Sequence, residues 1–328
     1  MAELMRAVKF EGQQRIGLQD LPWPQPAAGE VLLRVQRTAL CGSDGKLWQR
    51  GTDLVPGHEI FGVVDHPGHA LHGQRCCVFI PVHCGLCASC VQGDTHLCLT
   101  QSDLIGWNRN GGYAQALAVP QQCLMPVPDD IDDDLAPLLL DTIGTAAHGL
   151  RTVLPLVPPA QSDVLILGAG PVGMGALLAA QSLGYKNIWV SDPRATRLAL
   201  AESLGARPHQ VGDLQRRFAL VVESSGAHAA RNQGLQVIWP RGVLLLLGEN
   251  DNPWTIEESK PVRRKLFYMV RSFYFPKSDL PANIALLRSR RDDYRKLVDQ
   301  RFGLDEFASV FPRFMAGELV KPVLAPAL

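Results

Sequence analysis

Cys84, Cys87, Cys90 and Cys98 follow one another at the spacing C-x2-C-x2-C-x7-C. Four thiolates this close along one stretch of chain can wrap a single tetrahedral zinc, and a closed four-sulfur shell leaves no open position for a substrate. The loop 84–98 is therefore expected to hold a structural zinc. A pair of disulfides is one alternative, but the first ten residues lack the apolar core of a secretory signal. A nucleic-acid-binding zinc ribbon is the other, and it usually pairs two C-x2-C hairpins across a longer insert.

A second set of metal-capable residues lies outside that loop. Cys41 stands in Cys41-Gly-Ser43-Asp44, His58 and Glu59 follow Pro56-Gly57, and Asp141 precedes Thr142-Ile-Gly144. Taken singly, a Cys is commonly a small buried hydrophobe and a His a satisfied structural residue. Together they supply a soft thiolate, an imidazole and a carboxylate, the mixture that a catalytic zinc needs while keeping a position open for substrate oxygen.

The third signal is Gly168-Ala-Gly170-Pro171-Val172-Gly173, which directly follows the apolar run Val164 to Leu167 and opens a stretch rich in Ala and Leu. In that context the glycines read as a dinucleotide fingerprint. Gly168 allows the tight turn, Gly170 lets the backbone approach a pyrophosphate, and Gly173 lets helix and strand come close. The helix N-terminus then offers its amides to the anion. Asp192 ends the next expected strand, where a carboxylate accepts hydrogen bonds from ribose hydroxyls and repels a 2'-phosphate. NAD is thus expected over NADP, with Arg194 and Arg197 close enough in sequence to soften the preference.

These residues need elements to hold them. Up to about Asp141 the chain reads as short β-like runs, such as Val31 to Val35 and Ile60 to Val64, broken by Pro and Gly clusters; the strand pattern begins within Met1 to Phe10. The acidic run Asp129 to Asp134 has the composition that caps a helix N-terminus, here ahead of Leu135 to Leu140. After Pro158 and Pro159, Val164 to Leu167, Ile188 to Ser191, Leu220 to Val222 and Val243 to Leu247 alternate with helical text, the pattern of a parallel sheet covered on both faces. Two helical stretches and a short strand at Pro322 to Leu324 follow Lys277.

With 328 residues, 46% of them hydrophobic, the chain has material for two cores. Lysine plus arginine and aspartate plus glutamate both total 32, so no global field draws it to nucleic acid or an anionic membrane. The longest apolar tract, Val164 to Ala180, is punctuated by glycines and a proline and is too short to span a bilayer. A soluble cytoplasmic protein acting on a small molecule is the expectation.

Cys41-Gly-Ser43-Asp44, Gly57-His58-Glu59, the four-cysteine loop, Gly111-Gly112-Tyr113-Ala114, Asp141-Thr-Ile-Gly144 and the glycine fingerprint stand in the order found in zinc-containing medium-chain alcohol dehydrogenases, and the chain resembles that family over nearly its whole length. The stretch Asp192-Pro-Arg194-Ala-Thr196-Arg197-Leu198 is similar to that of the polyol branch, which includes sorbitol and threonine dehydrogenases. The resemblance implies an α/β fold with a GroES-like β-barrel catalytic domain over 1–142 and a Rossmann NAD-binding domain, a doubly wound parallel sheet, over 143–278. A return to the catalytic domain over 279–328 and a homodimer or homotetramer are implied as well.

It also implies roles. Cys41 and His58 match zinc ligands, Glu59 a carboxylate that ligates zinc or swings in and out, Asp141 the third ligand of the threonine and sugar dehydrogenase branches, and Ser43 the hydroxyl that passes the substrate proton outward. Lys46 stands where the family often has a histidine. The loop Asp65 to Arg75 is shorter than usual; its His66, His69 and His72 are taken as solvated loop residues, and Cys76, Cys77 and Cys123 match no role. The implied reaction interconverts a secondary alcohol of polyol, cyclitol or sugar-alcohol type and its ketone. A zinc-independent reductase of enones or quinones, and a noncatalytic NAD-binding protein with structural zinc alone, are the alternatives.

Overall fold

The computed structural model describes residues 3–256 and 259–327, and the chain divides into two units: Met1–Leu140 with Pro276–Leu280 and Tyr294–Leu328, and Asp141–Phe275 with Pro281–Asp293.

In the first unit, the apolar alternation near the N-terminus becomes the strand β1 (Leu4–Gly12), paired antiparallel with β2 (Arg15–Pro22). Met1 and Ala2, the start of the expected strand, lie outside the described residues. A larger sheet follows from β3 (Glu30–Ala39), β4 (Glu59–Val64), β5 (Arg75–Val78), β6 (Ala116–Pro120) and β7 (Leu124–Pro126). Its order runs Arg301–Phe302, Val323–Leu324, β3, β4, β5, β7, with β6 also pairing β3. Ala39 is paired across from Glu59 and also from Val323. That register brings the chain just past Ala39 beside His58 and Glu59, and beside the approach to Val323. Beneath lies an aromatic core of Phe10, Trp48, Tyr113, Phe307 and Phe311, in which Tyr113 and Phe307 have ring centroids 4.8 Å apart.

The second unit holds β8 (Asp163–Leu167), β9 (Asn187–Ser191), β10 (Arg207–Pro208), β11 (Phe218–Glu223), β12 (Ile238–Leu246) and β13 (Tyr268–Arg271), all parallel, in the order β10-β9-β8-β11-β12-β13. β8 and β11 at the centre are almost wholly buried, as a sheet covered on both faces requires. Helices Pro171–Ser182, Ala195–Ser203 and His228–Val237 fall between successive strands. This is the doubly wound arrangement read from the sequence.

The acidic run behaves differently from the expectation. Leu135 to Leu140 forms a single 3-10 turn, Ala136–Leu139, with no side-chain cap. The carboxylates instead take up arginines: Asp133 pairs with Arg75 at 2.6 Å, Asp134 with Arg37, and Asp132 with Arg295 at 3.1 Å. Arginine forks from three separate parts of the chain compete better for these oxygens than one short turn's amides. Among the described residues, no helix is long and apolar enough to cross a membrane.

Candidate metal centres and dinucleotide turn

The four cysteines converge as their spacing demands. A short helix, Ala88–Val91, carries Cys90, and the sulfurs of all four residues lie within 4.8 Å of one another. Backbone amides point at them: Leu86 and Cys87 donate to Cys84 Sγ at 3.3 Å, Leu99 to Cys87 Sγ at 3.4 Å and Cys84 to Cys98 Sγ at 3.4 Å. N–H groups aimed at sulfur favour the thiolate, the form a metal binds. Burial pushes the Cys98 thiol up, but amides of Cys84, Thr100 and Gln101 and the Thr100 hydroxyl outweigh it and draw it down to about 5. None of the eight cysteines is in a disulfide. Donor number, softness and polarised sulfurs fit one structural zinc.

In the first unit Cys41 ends the segment leaving β3, and Ser43 and Asp44 form the one-turn 3-10 helix Gly42–Asp44. Donor atoms of Cys41, His58 and Glu59 lie within 4.8 Å of one another. Asp44 is wholly buried and accepts two hydrogen bonds, from His58 Nδ1 at 3.0 Å and from the Tyr113 hydroxyl at 2.5 Å. An ionised carboxylate can only accept, so Nδ1 carries the proton and Nε2 keeps its lone pair for a metal. Burial, reinforced by Asp44, holds the Tyr113 phenol well above its ordinary pKa and keeps it a donor. Gly57 has φ +96°, and a Cβ there would strike the Tyr113 ring. Only glycine lets the chain turn into His58 beneath that ring. Ser43 donates its hydroxyl to Cys41 Sγ at 3.2 Å.

Glu59 is 0% exposed and forms an ion pair with Lys321, also 0% exposed, whose ammonium donates to the Leu40 carbonyl at 3.0 Å as well. This partner was not anticipated from the sequence. One Glu59 oxygen is thus held by a cation, and the group reads as a carboxylate tethered at the edge of the donor set. Lys46, on the helix Gly45–Arg50, is half-buried over the Trp107 ring, 5.9 Å from its centroid. Trp107 in turn lies 5.6 Å from the His58 ring. Asp141 is half-buried as the first residue of the π turn Asp141–Thr145, in the second unit.

The histidines of the short loop stay out of these groups. His69 accepts the Leu71 amide at Nδ1 and shares its Nε2 proton with Gln121 Oε1 at 3.2 Å, which makes it a turn-former. Among the described residues the grouped donors are those around Cys84 and around Cys41. Cys77 donates to the Ala136 carbonyl, and burial raises the thiols of Cys76 and Cys123 to about 11 and 12.

In the second unit the glycine turn joins β8 to the helix Pro171–Ser182, with Gly170 as N-cap and Pro171 at its start. Gly168 has φ +101°, and a Cβ on Gly173 would run into the Gly168 carbonyl oxygen, so strand and helix meet at a distance only glycine tolerates. A Cβ on Gly170 would meet only the Arg197 guanidinium, at 3.5 Å, so the backbone there is not crowded by other atoms. Asp192 is buried, its two oxygens accepting the amides of Ala169 and Arg194, each at 2.9 Å. Each oxygen retains a lone pair for a ribose hydroxyl. These residues fit a dinucleotide.

Comparison with known proteins agrees with this picture. Residues 27–129 match the family described as alcohol dehydrogenase GroES-like domain. Over 99% of both lengths the chain is 30% identical to an L-threonine 3-dehydrogenase of Mesorhizobium japonicum. It is also 30% identical to an L-threonine 3-dehydrogenase of Chromobacterium violaceum, covering 96% of this chain and 98% of that one. Among solved structures, the alcohol dehydrogenase TADH from Thermus sp. ATN1 is similar with a TM-score of 0.89 at 27% identity, covering 98% of this chain and 99% of that one.

Proposed function

The chain belongs to the zinc-containing medium-chain alcohol dehydrogenase family, and from that membership we propose that it interconverts a secondary alcohol, of polyol, cyclitol or sugar-alcohol type, and its ketone with NAD. The observation that carries the reading is the buried Asp44–His58 bond beside Cys41, which presents an imidazole nitrogen and a thiolate of the kind that binds zinc. Cys41 and His58 would hold the catalytic zinc with Glu59 as the tethered carboxylate, and Asp141 is the further carboxylate ligand that the family resemblance implies; Cys84, Cys87, Cys90 and Cys98 would hold the structural one. When bound, the catalytic zinc supplies Lewis acidity toward the alcohol oxygen and the nicotinamide supplies the hydride acceptor.

The chain's own residues do the rest. Asp44 fixes the His58 tautomer and ring plane. Ser43 Oγ accepts the proton that the alcohol gives up as its own proton moves on, and Lys46, in its neutral amine form, is the proposed onward carrier. Gly168, Gly170, Pro171, Val172 and Gly173 cradle the pyrophosphate on backbone amides, while Asp192 accepts from the adenosine ribose and Arg197 lies beside it. Aromatic Trp107 and the buried surroundings of Asp44 keep water from the His58 side.

The exposed edge strand β13 and the side chains of Leu266, Tyr268 and Met269 support a homo-oligomer, a dimer or tetramer. A cytoplasmic location is part of the same proposal, since four thiols spaced for a metal suit a reducing compartment.

The test is a screen of polyols, aminocyclitols and hydroxy amino acids by NADH absorbance, run beside zinc quantification on wild type and Cys41→Ser. About two zincs per chain, falling to about one in the variant with turnover lost, is the expected result. A Cys41→Ser protein that keeps both metals and full turnover would overturn the catalytic assignment.

A further inference from the structure

Within the second unit, one buried carboxylate ties the ends of three parallel strands to the glycine turn. β11 ends on Glu223, which is 0% exposed. Its Oε1 accepts the Ser225 amide and hydroxyl, both at 2.7 Å, and the Gly226 amide at 2.8 Å. Three donors on one oxygen curl residues 224–226 into a fixed loop, which packs directly on the dinucleotide turn. Ser224 Oγ donates in bifurcated fashion to the Leu167 and Gly168 carbonyls, at 3.0 and 2.9 Å. Ser225 stands so close that a Cβ on Gly168 would lie 2.9 Å from its own Cβ.

The other oxygen faces a cation. Arg231, on the helix His228–Val237, donates Nε to Glu223 Oε2 at 3.3 Å and Nη2 to the Gly248 carbonyl at 3.0 Å. Arg271, the last residue of β13, reaches the same carbonyl at 2.6 Å. The Glu223 backbone carbonyl accepts the amides of Leu247 and Gly248, at 2.8 and 2.9 Å. The ends of β11, β12 and β13 are thereby locked together. In open parallel sheets ligands bind in the crevice beyond these carboxyl ends.

We propose that Glu223 is a positioning residue for the dinucleotide: with Arg231 it fixes the 224–226 loop and the Gly248 carbonyl as one wall of the cofactor site, acting through Ser224 and Ser225 on the Gly168 turn. This rests on the reading of the second unit as the NAD-binding half. The Glu223 charge is what the design requires, because it satisfies three donors at one oxygen and a buried guanidinium at the other. A neutral side chain of the same shape leaves Arg231 uncompensated, and the loop loses its fixed relation to the glycine turn.

NADH binding to the zinc-loaded full chain, followed by fluorescence titration, tests this, with thermal melting and zinc content measured on the same samples. Glu223→Gln should raise the NADH Kd roughly tenfold, the effect of losing one charged hydrogen-bonding partner. Zinc content should stay at the wild-type value, and Glu223→Asp should recover part of the affinity. With an alcohol found by the screen, KM for NAD should rise by a similar factor while kcat changes less than about twofold. A purely structural role would lower the melting temperature and leave the Kd of the folded protein unchanged, and that result overturns the proposal. Should the Glu223 variants not fold, Ser225→Ala leaves the carboxylate in place and removes only the hydroxyl that donates to it and accepts the Ala227 amide at 3.1 Å; a rise in Kd of about threefold supports the proposal and an unchanged Kd overturns it. Wild-type chain that fails to bind NADH would remove the cofactor reading itself, whereas wild-type binding with unaltered variants removes Glu223 alone.

Discussion

Asp44 shows how a single residue converts ordinary side chains into a metal site. His58 alone could present either nitrogen; with a buried carboxylate 3.0 Å from Nδ1, it presents Nε2. The Tyr113 hydroxyl on the second Asp44 oxygen fixes the carboxylate from the other side, and the aromatic core around Phe307 fixes Tyr113. Substituting asparagine keeps the shape and removes the charge that binds the Nδ1 proton. Asp44→Asn should therefore weaken zinc at the Cys41 site 10- to 100-fold, about the range seen when such supporting partners are lost. The four-cysteine zinc does not touch Asp44 and should remain. Competition with a chromophoric chelator separates the two: one zinc released earlier than in wild type and the other unchanged is the expected trace, and a trace identical to that of wild type would refute this role.

At the scale of elements, the glycine turn is the most sequence-determined part of the molecule. Gly173 must be glycine because the helix Pro171–Ser182 begins against the Gly168 carbonyl. In Gly173→Ala the added methyl has nowhere to go, so strand and helix must separate. A cost of about 1–3 kcal/mol is expected for such overpacking, together with a large loss of NADH affinity. Urea unfolding and NADH titration of the same protein check both, and wild-type values in each would show that the turn tolerates a side chain.

The same contrast explains what could be read beforehand. The fingerprint, the four-cysteine loop and Cys41-Gly-Ser43-Asp44 are local patterns, in which spacing alone carries geometry. Lys321 is 262 positions from Glu59 and reaches it because Val323 pairs with Ala39 beside the β3–β4 register. No local spacing encodes that meeting. The acidic run was misjudged for a related reason: its arginine partners, Arg37, Arg75 and Arg295, come from two distant strands and a distant helix. β13 was missed because Tyr-Met-Val-Arg is largely exposed at a sheet edge and lacks the apolar run that marked the central strands.

For the molecule as a whole, balanced charge and two buried cores leave one conspicuous exposed feature in the second unit. β13 closes the sheet order on one side, and around it Trp239, Leu266, Tyr268 and Met269 are 52%, 62%, 43% and 46% exposed. An edge strand with apolar neighbours offers both backbone pairing and area for burial against a second copy. Sedimentation velocity on the zinc-loaded chain should therefore show a dimer or tetramer. The double variant Leu266→Glu/Met269→Glu should shift it toward monomer, because like charges would face each other across a two-fold interface at each substituted position. Zinc content should be unchanged, since neither residue lies in a grouped donor set. A wild-type chain that sediments as a monomer at all accessible concentrations would exclude this edge as an interface, and a variant that remains oligomeric would move the interface elsewhere on the surface.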